Sequence, residues 1–87
     1  MMSERVMLQG LLAEKRLEIK KLITRANAIV SSIHTQCSPF LPLDDLPVDQ
    51  IAEQAIVLEK IMRNIRQINP EIRKLEKELG IESDGEA

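Results

Sequence analysis

The sequence predicts an all-α fold, an antiparallel two-helix coiled-coil hairpin, on three observations. Two stretches of about thirty residues carry apolar side chains at alternating steps of three and four, which places those side chains in one narrow seam along an α-helix. A proline-rich connector, residues 37–47, separates the two stretches. The chain has 87 residues and a single aromatic residue, which suits one domain without a bulky mixed core. We therefore expect residues 1–81 to form one hairpin.

The first helix is expected over residues 3–36. Ser3 suits the N-cap, because its hydroxyl can accept a hydrogen bond from the first turn, and Glu4 follows at the positive helix end. Gln36 is the expected last residue, because Pro39 disfavours helical geometry in the residue before it. The seam of this helix consists of Leu8, Leu12, Lys15, Ile19, Leu22, Ala26, Ile29 and Ile33.

The second helix is expected over residues 48–79. Gly80 can adopt the left-handed conformation that ends many helices. Asn69 and Pro70 could begin a separate helix, but the apolar seam keeps its phase across them, so the sequence favours one helix with a kink near residue 70. The seam of this helix consists of Ile51, Gln54, Leu58, Ile61, Ile65, Ile68, Ile72, Leu75 and Leu79.

Antiparallel packing about the connector predicts the register of the hairpin. It brings Lys15, the one charge on the first seam, beside Asn69. Either the Lys15 ammonium reaches the Asn69 side chain or a nearby carbonyl and fixes the register, or it extends past the seam into solvent. The expected seam pairs are Leu12 with Ile72, Ile19 with Ile65, Ala26 with Leu58, and Ile33 with Ile51.

The connector is unusually apolar for a helix–helix turn. A solvated linker does not need large apolar side chains, so we expect these residues to fold back over the end of the hairpin. The alternative is that they dock on a second chain. The residues concerned are Phe40, Leu41, Leu43 and Leu46.

The apolar stripes are wider near the connector than the seam of a two-helix hairpin requires. A wide stripe needs a further helix to cover it, and a lone hairpin of this length buries little surface. The simplest arrangement is a homodimer, in which two hairpins form a short four-helix bundle with two projecting arms. The expected oligomer or partner interface comprises Ile23, Val30, Phe40, Leu41, Leu43, Ala52, Ile56 and Val57.

Charge is unevenly distributed along the chain. The net charge is −2, with mildly basic helices, an acidic connector and an acidic stretch at residues 82–87 that we expect to be a disordered tail. Six basic residues could form a positive face that binds nucleic acid, although no interleaved aromatic residues support this. They are Arg16, Lys20, Lys21, Arg25, Arg63 and Arg66.

The sequence offers no arrangement typical of an enzyme, a metal site or a cofactor site. His34 and Cys37 lie close together, but a nucleophile and its base need a third group and a pocket that two helices do not supply. The aspartates of the connector lack the ligand spacing and glycine of a calcium loop. No stretch approaches the length of a membrane span, so we expect a cytoplasmic protein without catalytic residues, metal or cofactor.

Most of the chain resembles one group of small helical-hairpin proteins. The resemblance rests on CSPFLPLDDL at residues 37–46, on LQGLLAEKR at residues 8–16 and on LEKELG at residues 75–80. These segments are similar to an uncharacterised group encoded in Mu-like prophages of proteobacteria. The resemblance implies a bacterial, phage-derived protein encoded near early transposition and regulatory genes, and it implies no activity.

These observations together predict a non-enzymatic structural or adaptor protein that acts through helix–helix contacts. Its expected partner is a second copy of itself, or another helical protein. Two alternatives remain open. One is a phage accessory factor that binds DNA or a DNA-bound protein through the basic face, and the other is a chaperone-like clamp for an apolar partner segment.

Overall fold

The protein is an antiparallel helical hairpin, as a computed structural model that describes residues 3–81 shows. Helix α1, Glu4–Gln36, leads into a connector with a short 3-10 turn at Leu43–Asp45, and helix α2, Val48–Leu79, returns along α1. The molecule measures 63 × 29 × 14 Å. The all-α hairpin is therefore confirmed, and the helix bounds lie within one residue of the expected ones. The expected tail, 82–87, lies outside the described residues.

Local capping explains where the two helices begin and end. The Ser3 hydroxyl accepts a hydrogen bond of 3.2 Å from the Val6 amide, which satisfies one free donor of the first turn of α1. At the end of α2, Gly80 has a positive φ of 72°, and its amide donates to the carbonyls of Glu76 and Lys77. A side chain at Gly80 would be strained there, so the glycine stop expected from the sequence is confirmed.

Helix α2 continues without interruption through Asn69 and Pro70. The interpretation of one helix is confirmed, and no separate helix begins at Asn69. Because proline has no N–H, the carbonyl of Arg66 lacks its usual helical donor. The apolar seam on both sides of Pro70 holds the helix together, since Ile68 and Leu75 are both buried.

The seam forms two buried clusters, and both agree with the expected register. At the open end of the hairpin, Leu12, Leu75 and Leu79 are buried, and Ile72 packs against them. Nearer the middle, a second cluster contains the expected partners of two further pairs: Ala26, Ile61 and Ile65 are buried, with Ile19, Leu22, Ile29, Leu58 and Met62 packed around them.

The connector-proximal half of the hairpin has no buried core. Between Ala26 on α1 and Ile61 on α2, none of the residues 27–60 is buried. The seam residues Ile33 and Ile51 are only half-buried there. The part of the hairpin that is richest in apolar residues is thus the part that a single chain covers least.

Candidate functional site

One flank of the hairpin is defined by rows of residues that border the seam. On α1, Arg16 is followed at seven-residue intervals by Ile23 and Val30, which share one side of the helix, and Cys37 continues this spacing just after the last residue of α1. On α2, the matching row consists of Val48, Ala55, Met62, Asn69 and Glu76. The Arg16 guanidinium contacts the Glu76 carboxylate at 2.8 Å, which shows that the two rows border the same flank.

This flank is apolar toward the connector. Ile23 is 44% exposed, Val30 51% and Val48 59%. These large side chains therefore keep about half of their surface in contact with water, although burial would stabilise them. We call this surface the apolar flank, and its residues are Ile23, Val30, Cys37, Val48, Ala55 and Met62.

The opposite flank is polar. The Ser32 hydroxyl accepts a hydrogen bond of 2.8 Å from the Gln54 amide, and Gln36 donates to Gln50 at 3.2 Å. The side-chain carbonyl oxygens of Gln36 and Gln54 are enclosed without a hydrogen-bond partner among residues 3–81. Such groups lose hydration without full compensation, which weakens the seam next to the connector.

Lys15 pairs with a residue other than the expected one. Its ammonium lies 2.9 Å from the carboxylate of Glu71, whereas the expected neighbour was Asn69. Asn69 and Glu71 are two residues apart and lie on opposite sides of the α2 seam, and the carboxylate of Glu71 is the stronger acceptor for a lysine. The hydrogen bond and the negative charge of Glu71 raise the pKa of Lys15. The lysine therefore forms a partly exposed ion pair between the two helices.

The expected interface residues do not lie on one surface. Ile23 and Val30 lie on the apolar flank, with Ala52 at its edge. Val57 lies seven residues from Gln50 and belongs to the polar flank, and Ile56 lies on the outer side of α2, facing away from α1. The register thus divides the expected interface residues between different sides of the hairpin, which a linear stripe does not reveal, and the interface itself stays a prediction.

Sequence reasoning did not include Val48 and Ala55 in the interface, although both are exposed on the apolar flank. The signal that could have identified them is the seven-residue spacing of Val48, Ala55 and Met62, which continues along α2 to Glu76. Arg16 was likewise assigned to the basic face alone, whereas its partner Glu76 is buried in the hairpin.

The connector does not fold back over the end of the hairpin. Phe40 is 94% exposed, Leu43 84%, and Leu41 is exposed as well, so the expected cap is wrong. The backbone of the connector is closed by short-range hydrogen bonds, from Leu41 to Ser38 and from Asp45 to Pro42. These local turns keep the large apolar side chains away from the helices, and of Phe40, Leu41, Leu43 and Leu46 only Leu46 is half-buried.

The six basic residues are all exposed but do not form one face. Arg16 pairs with Glu76, and Arg63 pairs with Glu59 one turn away on α2. Arg25 lies seven residues before Ser32, on the polar flank, and Lys21 lies near that side as well. Lys20 and Arg66 border the apolar flank instead, and neither forms an ion pair with another residue in the range 3–81.

The described part of the chain shows no arrangement typical of a reaction centre. Within residues 3–81, no group of three or more His, Cys, Asp or Glu side chains could hold a metal ion, and Cys37 is a free, exposed thiol. Two open grooves of about 430 and 450 Å³ lie at the open end. Leucines and charged side chains alternate along them, among them Leu8, Lys15, Glu71 and Glu78.

Neither helix of the described range is long and apolar enough to cross a membrane. Comparison of the chain with protein-family models, with curated proteins and with solved structures gave no match. The apolar flank and the exposed connector are therefore the features from which a function can be argued.

Proposed function

We propose that this protein is a non-enzymatic structural or adaptor protein, acting in the bacterial cytoplasm, that self-associates by helix packing through its apolar flank. One observation carries the proposal: residues 27–60 contain no buried side chain, although they hold much of the apolar seam. A face of this kind is stable in water when another helical surface covers it. The resemblance to prophage-encoded hairpins is compatible with such a role and adds no activity.

The energetics favour association over a lone hairpin. Burying the exposed half of a valine or isoleucine side chain contributes roughly 1 kcal/mol. In a dimer, each of Ile23, Val30 and Val48 contributes twice, and the half-buried seam beneath them loses further contact with water. Association would therefore give the connector-proximal half the core that it lacks in one chain.

Sedimentation equilibrium tests this proposal with one charged substitution and a matched control. Val30→Glu places a charge in the middle of the apolar flank, whereas Ala28→Glu places the same charge on the other side of α1, near Lys21. We expect dimers at about micromolar concentration for the native chain and for Ala28→Glu, as for interfaces of modest area. Val30→Glu should be a monomer with unchanged helicity by circular dichroism.

A well-folded native monomer at every concentration up to the millimolar range would contradict self-association. Equal loss of association in both variants would show that added charge, and not the flank, is responsible. A gel shift with generic duplex DNA that weakens steeply with salt would instead favour the nucleic-acid alternative. That alternative has less support, because the basic residues are distributed around the hairpin.

A further inference from the structure

The charges at the two ends of the apolar flank indicate how the second copy is oriented. We propose that the two hairpins pack flank to flank with their connectors at opposite ends, related by a two-fold axis that passes near Val30 and Ala55. This inference rests on the proposed self-association and adds its geometry and its charged contacts. The occupant of the flank is thus a second copy of this chain.

The register places the centre of the flank near Val30 and Ala55. The Ser32–Gln54 hydrogen bond fixes the adjacent level of the two helices, so Val30 and Ala55 lie close to one cross-section of the hairpin. Ile23 and Met62 lie about 10 Å toward the open end, at 1.5 Å per residue. Cys37 and Val48 lie about 10 Å toward the connector, by the same spacing. The apolar surface is therefore symmetric about this level.

Exposed charges of opposite sign lie beyond the apolar flank in the two directions along the hairpin axis. Toward the open end, Lys20 and Arg66 lie about 15 Å from the centre and are exposed. Toward the connector, Asp44 and Asp45 lie on the 3-10 turn, beyond the last residue of α1, and are exposed as well. None of these four residues forms an ion pair with another residue in the range 3–81.

These charges distinguish the two symmetric arrangements. With connectors at the same end, the aspartates of both copies meet each other, and Lys20 and Arg66 meet their own counterparts. With connectors at opposite ends, the connector of one copy, which carries Asp44 and Asp45, faces the side of the other copy on which Lys20 and Arg66 lie. Like charges across an interface oppose docking and unlike charges fix its register, so the second arrangement is favoured.

The area of the flank explains why charge can decide the orientation. The flank is about 25 Å long and two helices wide, which corresponds to roughly 500 Å² of face per copy and about 1,000 Å² in total. That is the lower limit for a specific interface. In an interface of this size, four charge contacts at the rims account for a large part of the difference in association free energy between the two orientations.

A distance measurement between spin labels separates the two arrangements directly. Ala13 is exposed and lies seventeen residues from Val30 along α1. With nitroxides on Ala13→Cys in a Cys37→Ser background, connectors at opposite ends give about 50 Å between labels, and connectors at the same end give under about 20 Å. Double electron–electron resonance resolves these distances. Sedimentation of the same labelled sample shows whether it is dimeric.

The outcomes separate this inference from the proposed function. A dimer with the long distance supports both. A dimer with the short distance overturns the orientation and leaves self-association through the flank in place. A folded monomer at all concentrations overturns both, and the flank would then belong to a different partner.

Charge reversal tests the same contacts independently. Asp44→Lys with Asp45→Lys should weaken dimerisation about tenfold by placing cations against Lys20 and Arg66. Adding Lys20→Glu and Arg66→Glu to this double variant should restore dimerisation. The matched control adds Lys21→Glu and Lys60→Glu, which gives the same net charge but lies away from the apolar flank. Equal restoration by the control would show that only total charge matters, and it would overturn the proposed contacts.

Discussion

At the residue scale, the ion pair between Arg16 and Glu76 is asymmetric. Glu76 is buried against the open end of the hairpin, whereas about half of the Arg16 side chain is exposed. Removing the arginine therefore leaves a carboxylate with little access to water, while removing the glutamate leaves a guanidinium that water can hydrate.

We expect Arg16→Met to lower the free energy of unfolding by about 1–3 kcal/mol, the usual cost of leaving a buried hydrogen-bonding group without its partner. Glu76→Met should be neutral or stabilising, because it extends the apolar surface beside Leu75 and Leu79. Urea denaturation followed by circular dichroism measures both values. Equal losses in the two variants would show that the pair acts as a surface contact.

Phe40 is the second residue whose role the structure changes. A buried phenylalanine typically loses about 3–5 kcal/mol on truncation to alanine. Because Phe40 is 94% exposed in the hairpin, Phe40→Ala should change the free energy of unfolding of the monomer by less than about 0.5 kcal/mol. Thermal unfolding at low concentration, in the Val30→Glu background, measures the monomer alone. A large loss there would mean that the connector packs on the helices in solution.

At the scale of one element, helix α2 carries Pro70 in its interior without ending there. Pro70→Ala restores an amide donor to the carbonyl of Arg66 and should raise the free energy of unfolding by up to about 3 kcal/mol. Pro47→Ala is the matched control, because Pro47 precedes the first residue of α2 and interrupts no helical bond. Chemical denaturation gives both values. Destabilisation by Pro70→Ala alone would show that the fold depends on the geometry that proline imposes.

The helices could be predicted from the sequence because their signals are local. The heptad spacing, the Ser3 cap and the Gly80 stop each act within one or two turns, and they place the helix bounds within one residue of those observed. The register was also close, since the apolar seams of the two helices restrict how they align.

The candidate site was harder to predict because it depends on relations between the helices. Which side of the α2 seam faces Lys15 decides whether the lysine meets Asn69 or Glu71, and the same relation decides which flank Val57 joins. The exposure of Phe40 follows from local hydrogen bonds in the connector, whereas its apolar character suggested burial. A residue type alone does not say whether its partner lies in the same chain or in another.

At the scale of the whole molecule, burial is divided between two halves. The open half holds the Leu12, Leu75 and Leu79 cluster, whereas residues 27–60 contain nothing buried. Local stability follows burial, so the amides of the connector-proximal half should exchange with solvent faster than those near the open end.

Hydrogen exchange should depend on protein concentration in the connector-proximal half. We expect protection of the amides around Ile29, Ile33 and Leu58 to rise as the chain associates, because binding to the folded form stabilises the region that it covers. The amides around Leu12 should change less. Mass-spectrometric exchange at two concentrations measures this, with Val30→Glu as the control. A uniform rise along both helices would contradict an interface confined to one half.

The open end also determines how the hairpin responds to mechanical force. Arg5 near the start of α1 donates a hydrogen bond of 3.3 Å to the carbonyl of Leu79, so the two helix ends that lead toward the chain termini lie side by side. Tension applied to both termini therefore pulls the two helices apart sideways. The seam contacts between α1 and α2 then break one after another, from Leu12 toward Ala26. Tension between the open end and the connector instead loads both helices along the 63 Å long axis of the molecule, where many backbone hydrogen bonds resist together. The hairpin should unfold at low force when the two termini are pulled apart, and it should resist a much higher force when it is pulled between the open end and the connector.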